Sequence, residues 1–141
     1  MVILMSVALL AGCVAGAESP IEVQLEQDFQ LRPGQSAYVA TVDLTVGFEG
    51  VASDSRCPRG EACVWEGDAT VRIRLRQADG TVDILELHTR SGGQSAQSIG
   101  GYSVRLVAVL PEPVKGVEPT AAGYAAILQV SSAPASGESS F

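Results

Sequence analysis

The sequence predicts an all-β domain: a β-sandwich in an Ig-like or similar Greek-key arrangement, with six to seven strands and little or no helix. Three observations predict it. Four segments alternate apolar and polar residues with period two, the pattern of half-buried strands. Turn signals containing Pro, Gly and Asp stand between them. No stretch of ten or more residues carries a convincing helical period. At 141 residues the chain fits one domain around one core. With three Phe, three Tyr and one Trp, that core falls mainly to Val, Leu, Ile and Ala.

In chain order, "VQLEQDFQL" places Val23, Leu25, Phe29 and Leu31 on one face, with Gln24, Glu26, Asp28 and Gln30 on the other. "RPGQ" (32–35) is a turn. "YVATVDLTVGF" reads as the clearest strand, with Tyr38, Ala40, Val42, Leu44, Val46 and Phe48 on a single face. "VRIRLR" turns Val71, Ile73 and Leu75 inward and Arg72, Arg74 and Arg76 outward. A three-residue loop, Ala78-Asp79-Gly80, with Gly in the left-handed position, then pairs Ile73 with Leu85, Val71 with Leu87 and Arg72 with Glu86. "SGGQSAQSIGG" (91–101) reads as a polar loop. "YSVRLVAVL" and "YAAILQV" supply two more strands, joined by a proline-bearing connection unsuited to an interior strand. The domain is expected over 21–131, followed by a disordered polar tail over 132–141.

The first twelve residues, "MVILMSVALLAG", are uncharged and almost wholly apolar. They are too short to span a bilayer and suit the apolar stretch of an export signal, although no Lys or Arg precedes them. "Leu10-Ala11-Gly12-Cys13" resembles the lipobox of bacterial lipoproteins. The resemblance implies a signal peptide over 1–12, a diacylglyceryl group on the Cys13 sulfur, and a tether over 13–20. It places the domain at a bacterial cell envelope, anchored to the membrane by its acyl chains. Val14 is compatible with sorting to an outer membrane where the host has one.

The densest chemistry is "SDSRCPRGEACVWEGDA" (53–69). After export, Cys57 and Cys63 are expected to form a disulfide, closing a small loop and contributing roughly 2–3 kcal/mol through chain entropy. The five-residue spacing does not suit a thiol–disulfide catalyst. "Asp54-Ser55-Arg56-Cys57-Pro58", with Cys63, Trp65 and Gly67, resembles a signature of small, largely uncharacterised bacterial lipoproteins and secreted β domains. That resemblance implies a compact β domain with a stapled loop, and no activity. Asp54 is expected to accept turn amides, and Arg56 to reach a carboxylate or strand carbonyls. Trp65 is expected to lie over the disulfide as an apolar lid. A functional reading of the same loop makes Arg56, Arg59, Glu61 and Trp65 a recognition surface.

Composition narrows the function. A formal charge of −7 opposes nucleic-acid binding. One His and three Cys do not supply a structural zinc site. Asp54, Glu61, Glu66 and Asp68 lack the spacing of a calcium loop and are expected to be solvated, with local Arg partners. His88 is expected on the outward strand face beside Glu86, outside any nucleophile motif. The Arg72, Arg74 and Arg76 stripe reads as a solvated face partly balanced by Glu86. The expected protein is a non-enzymatic, membrane-tethered binding or structural domain. It needs no cofactor or metal, and its partner is another envelope protein or a glycan. The alternative makes residues 57–63 a ligand-recognition or inhibitor loop.

Overall fold

The computed structural model describes residues 19–90 and 94–132. The segment expected to be an export signal (1–12), Cys13, most of the expected tether (13–20) and nearly all of the expected tail (132–141) lie outside the described residues.

Two packed sheets enclose one core, as the alternation predicts. Strands β1 (Ile21–Val23), β3 (Ser36–Val39), β4 (Leu44–Asp54), β5 (Ala69–Arg76) and β6 (Val82–His88) form the first sheet, in the order β1-β3-β4-β5-β6. Strands β2 (Asp28–Leu31), β7 (Ala96–Ile99), β8 (Tyr102–Leu110) and β9 (Ala125–Ser132) form the second, in the order β2-β9-β8-β7. Every pairing is antiparallel except β1 with β3. The second sheet has a Greek-key order, because β2 returns to lie beside the far end of a three-strand run. The first is essentially a meander.

The nine strands exceed the six or seven expected, and each surplus has a local cause. "VQLEQDFQL" is two strands, because Glu26 adopts a left-handed backbone (φ 64) and donates its amide to Val130 O at 2.8 Å. That break sends β1 to one sheet and β2 to the other. "YVATVDLTVGF" is a hairpin: a 3-10 turn, Ala40–Val42, is followed by Asp43 at φ 49. Asp tolerates this region better than most residues, and Tyr38 Oη donates to its Oδ1 at 2.9 Å. The core face before the turn is therefore Ala37 and Val39, while Tyr38 turns outward. Leu44, Val46 and Phe48 point inward as expected. The third surplus strand is β7, inside the segment expected to be a loop. It pairs with β8, Ala96 opposite Arg105 through Ile99 opposite Tyr102.

The β5–β6 hairpin follows the sequence reading. Ile73 pairs with Leu85, Val71 with Leu87 and Arg72 with Glu86, and Gly80 takes the left-handed position at φ 86. The loop is closed by Gln77 N donating to Thr81 O at 2.9 Å, and Asp79 Oδ1 accepts the Thr81 amide at 2.8 Å. Between the sheets, Phe29, Leu31, Phe48, Ile73, Leu87 and Leu128 lie in one continuous buried cluster. The strands begin at Ile21 and end at Ser132, so Ser132 belongs to β9 rather than to the tail.

Candidate functional site

At one end of the sandwich, the chain leaves β4 at Asp54 and rejoins the sheet at Ala69. Its intervening segment must be held without strand pairing, and a salt-bridged arginine does much of this. Arg56 donates through Nε to Asp54 Oδ1 and through Nη2 to Oδ2, both at 2.8 Å. Its Nη1 reaches Val109 O at 2.8 Å and its Nη2 reaches Pro111 O at 3.1 Å. The guanidinium thus ties the loop to the end of β8 across the sandwich. Tyr124 Oη donates to Asp54 Oδ2 at 3.1 Å. With side-chain exposures of 13% and 15%, Arg56 and Asp54 form a largely desolvated pair. The Arg56 hydrogen bonds hold the Asp54 carboxyl below its ordinary range. Burial and the Asp54 bond push the Tyr124 phenol up.

Cys57 and Cys63 are joined in a disulfide, with their Cα atoms 6.0 Å apart. The loop it closes docks on the β8–β9 connection. Arg59 N donates to Pro113 O at 3.0 Å, and Arg59 forms a short parallel bridge with Val114. Arg59 also pairs with Glu112, and Lys115 pairs with Glu61 at 3.1 Å. Such exposed pairs are individually weak. Together with the disulfide and the Arg56 network, they give the loop a defined seat.

The loop returns past Gly67, whose left-handed φ of 76 carries it closely over Ser55. Ser55 N donates to Asp68 O at 2.7 Å, and Asp68 N donates back to Ser55 Oγ at 3.1 Å. Val64 and Trp65 lie outside all of these contacts, 93% and 64% exposed. Trp65 is therefore not a lid over the disulfide. The face of the loop that packs is the Arg59–Glu61 side, which leaves an apolar tip in water.

Asp68 and His88 also depart from the solvated surface expected. His88 is half-buried, and its Nδ1 lies 2.6 Å from Asp68 Oδ2 and 3.1 Å from Thr70 Oγ1. Asp68 Oδ1 accepts the amides of Thr89 and Arg90 at 3.0 and 3.1 Å. Burial pulls the Asp68 carboxyl up, but the His88 bond and these amides outweigh it and hold it low. In a nucleophile relay, the nucleophile and the orienting acid meet opposite ring nitrogens. Here Thr70 and Asp68 share one nitrogen, so the trio ties the start of β5 to the end of β6. The loop acids divide among their own partners: Asp54 with Arg56, Glu61 with Lys115 and Asp68 with His88. Among the described residues, no group of three or more His, Cys, Asp or Glu is placed to hold a metal ion.

A groove of about 830 Å³ runs between the end of β4 and the β8–β9 connection, lined by Val51, Asp54, Pro58, Val114, Val117 and Tyr124. A smaller one of about 470 Å³ lies on the other side of Arg56, against Cys57, Gly67, Arg90 and Glu112. Of the four loop residues singled out from sequence, Arg56 is an internal strut, while Arg59 and Glu61 are engaged by Glu112 and Lys115. Trp65 is the one left facing outward. Sequence reasoning missed Val64, Tyr124, Glu112 and Lys115. The last three act across more than fifty residues of chain, where no local pattern marks the pairing. No protein-family model, no curated protein and no solved structure matches this chain.

Proposed function

We propose that this chain is a lipid-anchored, non-enzymatic binding domain of the bacterial cell envelope, recognising another envelope protein through the tip of its disulfide-stapled loop. The anchored part of the reading rests on the resemblance of Leu10–Cys13 to a lipobox. The binding part rests on one observation: Val64 and Trp65 are exposed on a loop whose base is fixed by a disulfide, a buried guanidinium and two ion pairs. Exposing a Trp to water is unfavourable, and tryptophans are over-represented among residues that dominate binding energy. A pre-ordered loop loses little conformational entropy when it is captured, so more of the contact energy becomes affinity. The inhibitor reading of residues 57–63 has less support, since Arg59 and Glu61 already have partners within the chain.

The test is a photo-crosslinker placed at position 64 of the anchored chain in its own envelope. One discrete adduct is expected, and Trp65→Ala should reduce its yield at least about tenfold while leaving the disulfide and the fold intact. An adduct unchanged by Trp65→Ala would remove the tip from the binding surface.

A further inference from the structure

At the end of the sandwich that carries the stapled loop, the first sheet runs on past its edge strand. Strand β2 stops at Leu31 opposite Ala126, and β3 begins at Ser36 opposite Gly47. Residues 32–35 cross between the sheets there, with Gly34 N donating to Phe48 O at 2.8 Å and Phe48 N to Gln35 O at 3.0 Å. Beyond this crossover β4 continues to Asp54 with β5 on one side and, among the described residues, no strand on the other. Two bulges, at Glu49 and at Ala52, coil that stretch. The groove of about 830 Å³ lies here. Val51, Ser53 and Asp54 form one wall, and the β8–β9 connection forms the other. In that connection Val117 N donates to Val114 O at 3.0 Å, and Arg59 N ties the turn to the stapled loop through Pro113 O. The turn nevertheless leaves Val114 and Val117 52% and 61% exposed. The charges are unequal. Arg56, the one cation among the lining residues, is engaged by Asp54 and by the carbonyls of Val109 and Pro111. Glu118 lines the groove without a hydrogen-bond or ion-pair partner among the described residues. It stands close enough to Tyr124 to add to the upward push on the phenol, after burial and Asp54. Nearby, Arg59 and Lys115 are engaged by Glu112 and Glu61, and Arg32 in the crossover does not line the groove.

We propose that this groove binds an extended peptide segment of a partner protein. The segment takes the place of the missing edge strand beside residues 49–54 of β4, lays aliphatic side chains on Val114 and Val117, and sets a lysine or arginine against Glu118. Each feature of this occupant follows from a wall of the groove. An open strand edge presents main-chain N–H and C=O groups, and another extended main chain is what satisfies a row of them. Exposed valines on a turn already held by hydrogen bonds favour apolar contacts, because little ordering is lost when they are covered. A carboxylate without a partner, in a groove whose own cation is engaged, selects a basic residue and disfavours an acidic one. The volume falls in the range of ligand-binding clefts. The inference goes beyond the loop-tip reading and rests neither on it nor on the membrane anchor.

The test pans a display library of random short peptides over the full chain with its disulfide intact, then resynthesises the most enriched sequence. Enrichment of alternating apolar sequences that carry Lys or Arg is expected. Glu118→Gln should weaken the resynthesised peptide about tenfold or more. Replacing the peptide's basic residue by norleucine should cost the same, and the two changes together no more than either alone. Methylating the amides of alternate peptide residues separates a paired main chain from side-chain contact. One alternate set should abolish binding, while the other leaves it within about twofold. Trp65→Ala should leave the affinity unchanged; a loss would move the peptide to the loop tip and overturn the groove as its site. Equal effects of the two methylated sets, an affinity indifferent to Glu118→Gln, or no enriched sequence would also overturn the proposal. So would a chain that sediments as a dimer with the amides of residues 49–54 protected from exchange before any peptide is added, since a second copy would then hold the edge.

Discussion

Gly67→Ala should destabilise the protein by about 3 kcal/mol or more, the sum of a left-handed backbone forced on alanine and an overpacked contact. The second component is the larger. A Cβ at position 67 would lie 2.1 Å from Ser55 O and 2.8 Å from Arg56 Cα. Neither neighbour is the end of a flexible side chain. Relieving the clash means separating the two arms of the loop, which breaks the Ser55–Asp68 bonds and shifts the base of Arg56. Gly60→Ala is the control. Gly60 also has a left-handed φ, 84, but its Cβ would meet nothing within 4 Å, so only the backbone component applies, roughly 1–2 kcal/mol. Urea unfolding curves measure both. Equal midpoints for the two variants would contradict the close approach of residues 55 and 67.

Arg56→Met should cost about 2–4 kcal/mol, because it leaves a largely buried Asp54 carboxylate and two β8-side carbonyls without their donor. Asp54→Asn with Arg56→Met should recover part of that loss, since the stranded charge is then gone. The effect depends on pH, with a definite sign. Asp54 titrates below its ordinary 3.8 in the folded protein, chiefly because of the Arg56 side chain. Its contribution is therefore complete above about pH 5 and fades as pH falls through the folded-state value. The stability gap between the parent and Arg56→Met should narrow on acidification. Asp68, held low mainly through His88 against the pull of burial, keeps an acid limb in both proteins. A gap that widened below pH 4 would contradict the assignment of Asp54 and Arg56 as partners.

How far the fold was legible depended on whether the deciding interaction was local. The β5–β6 register could be read because a one-residue slip would have set Arg74 opposite Leu85 and turned Leu85 and Leu87 away from the face that Val71 and Ile73 share. The break between β1 and β2 left a trace in Gln27, a polar residue at a position where the alternation calls for an apolar one. The turn between β3 and β4 left none. Ala40 and Val42 continue the apolar beat through a 3-10 turn, so periodicity alone reads straight across a hairpin. Strand β7 was hidden differently: it is a short edge strand with Ile99 as its only large apolar side chain, flanked by glycines. In the loop, Asp54 was expected to accept turn amides and Arg56 to reach a carboxylate or strand carbonyls. Asp54 does accept the Arg56 amide, and Arg56 takes both kinds of partner, the Asp54 carboxylate and the carbonyls of Val109 and Pro111. Trp65 was misplaced because sequence shows that an aromatic stands near a disulfide, but not which side of the loop packs.

The account is tested most directly by the intact mass of the mature protein taken from its native envelope. It predicts a chain beginning at Cys13, heavier by a diacylglyceryl group, with Cys57 and Cys63 lacking two hydrogens because they are joined. An unmodified Cys13, or free thiols at both Cys57 and Cys63, would contradict it.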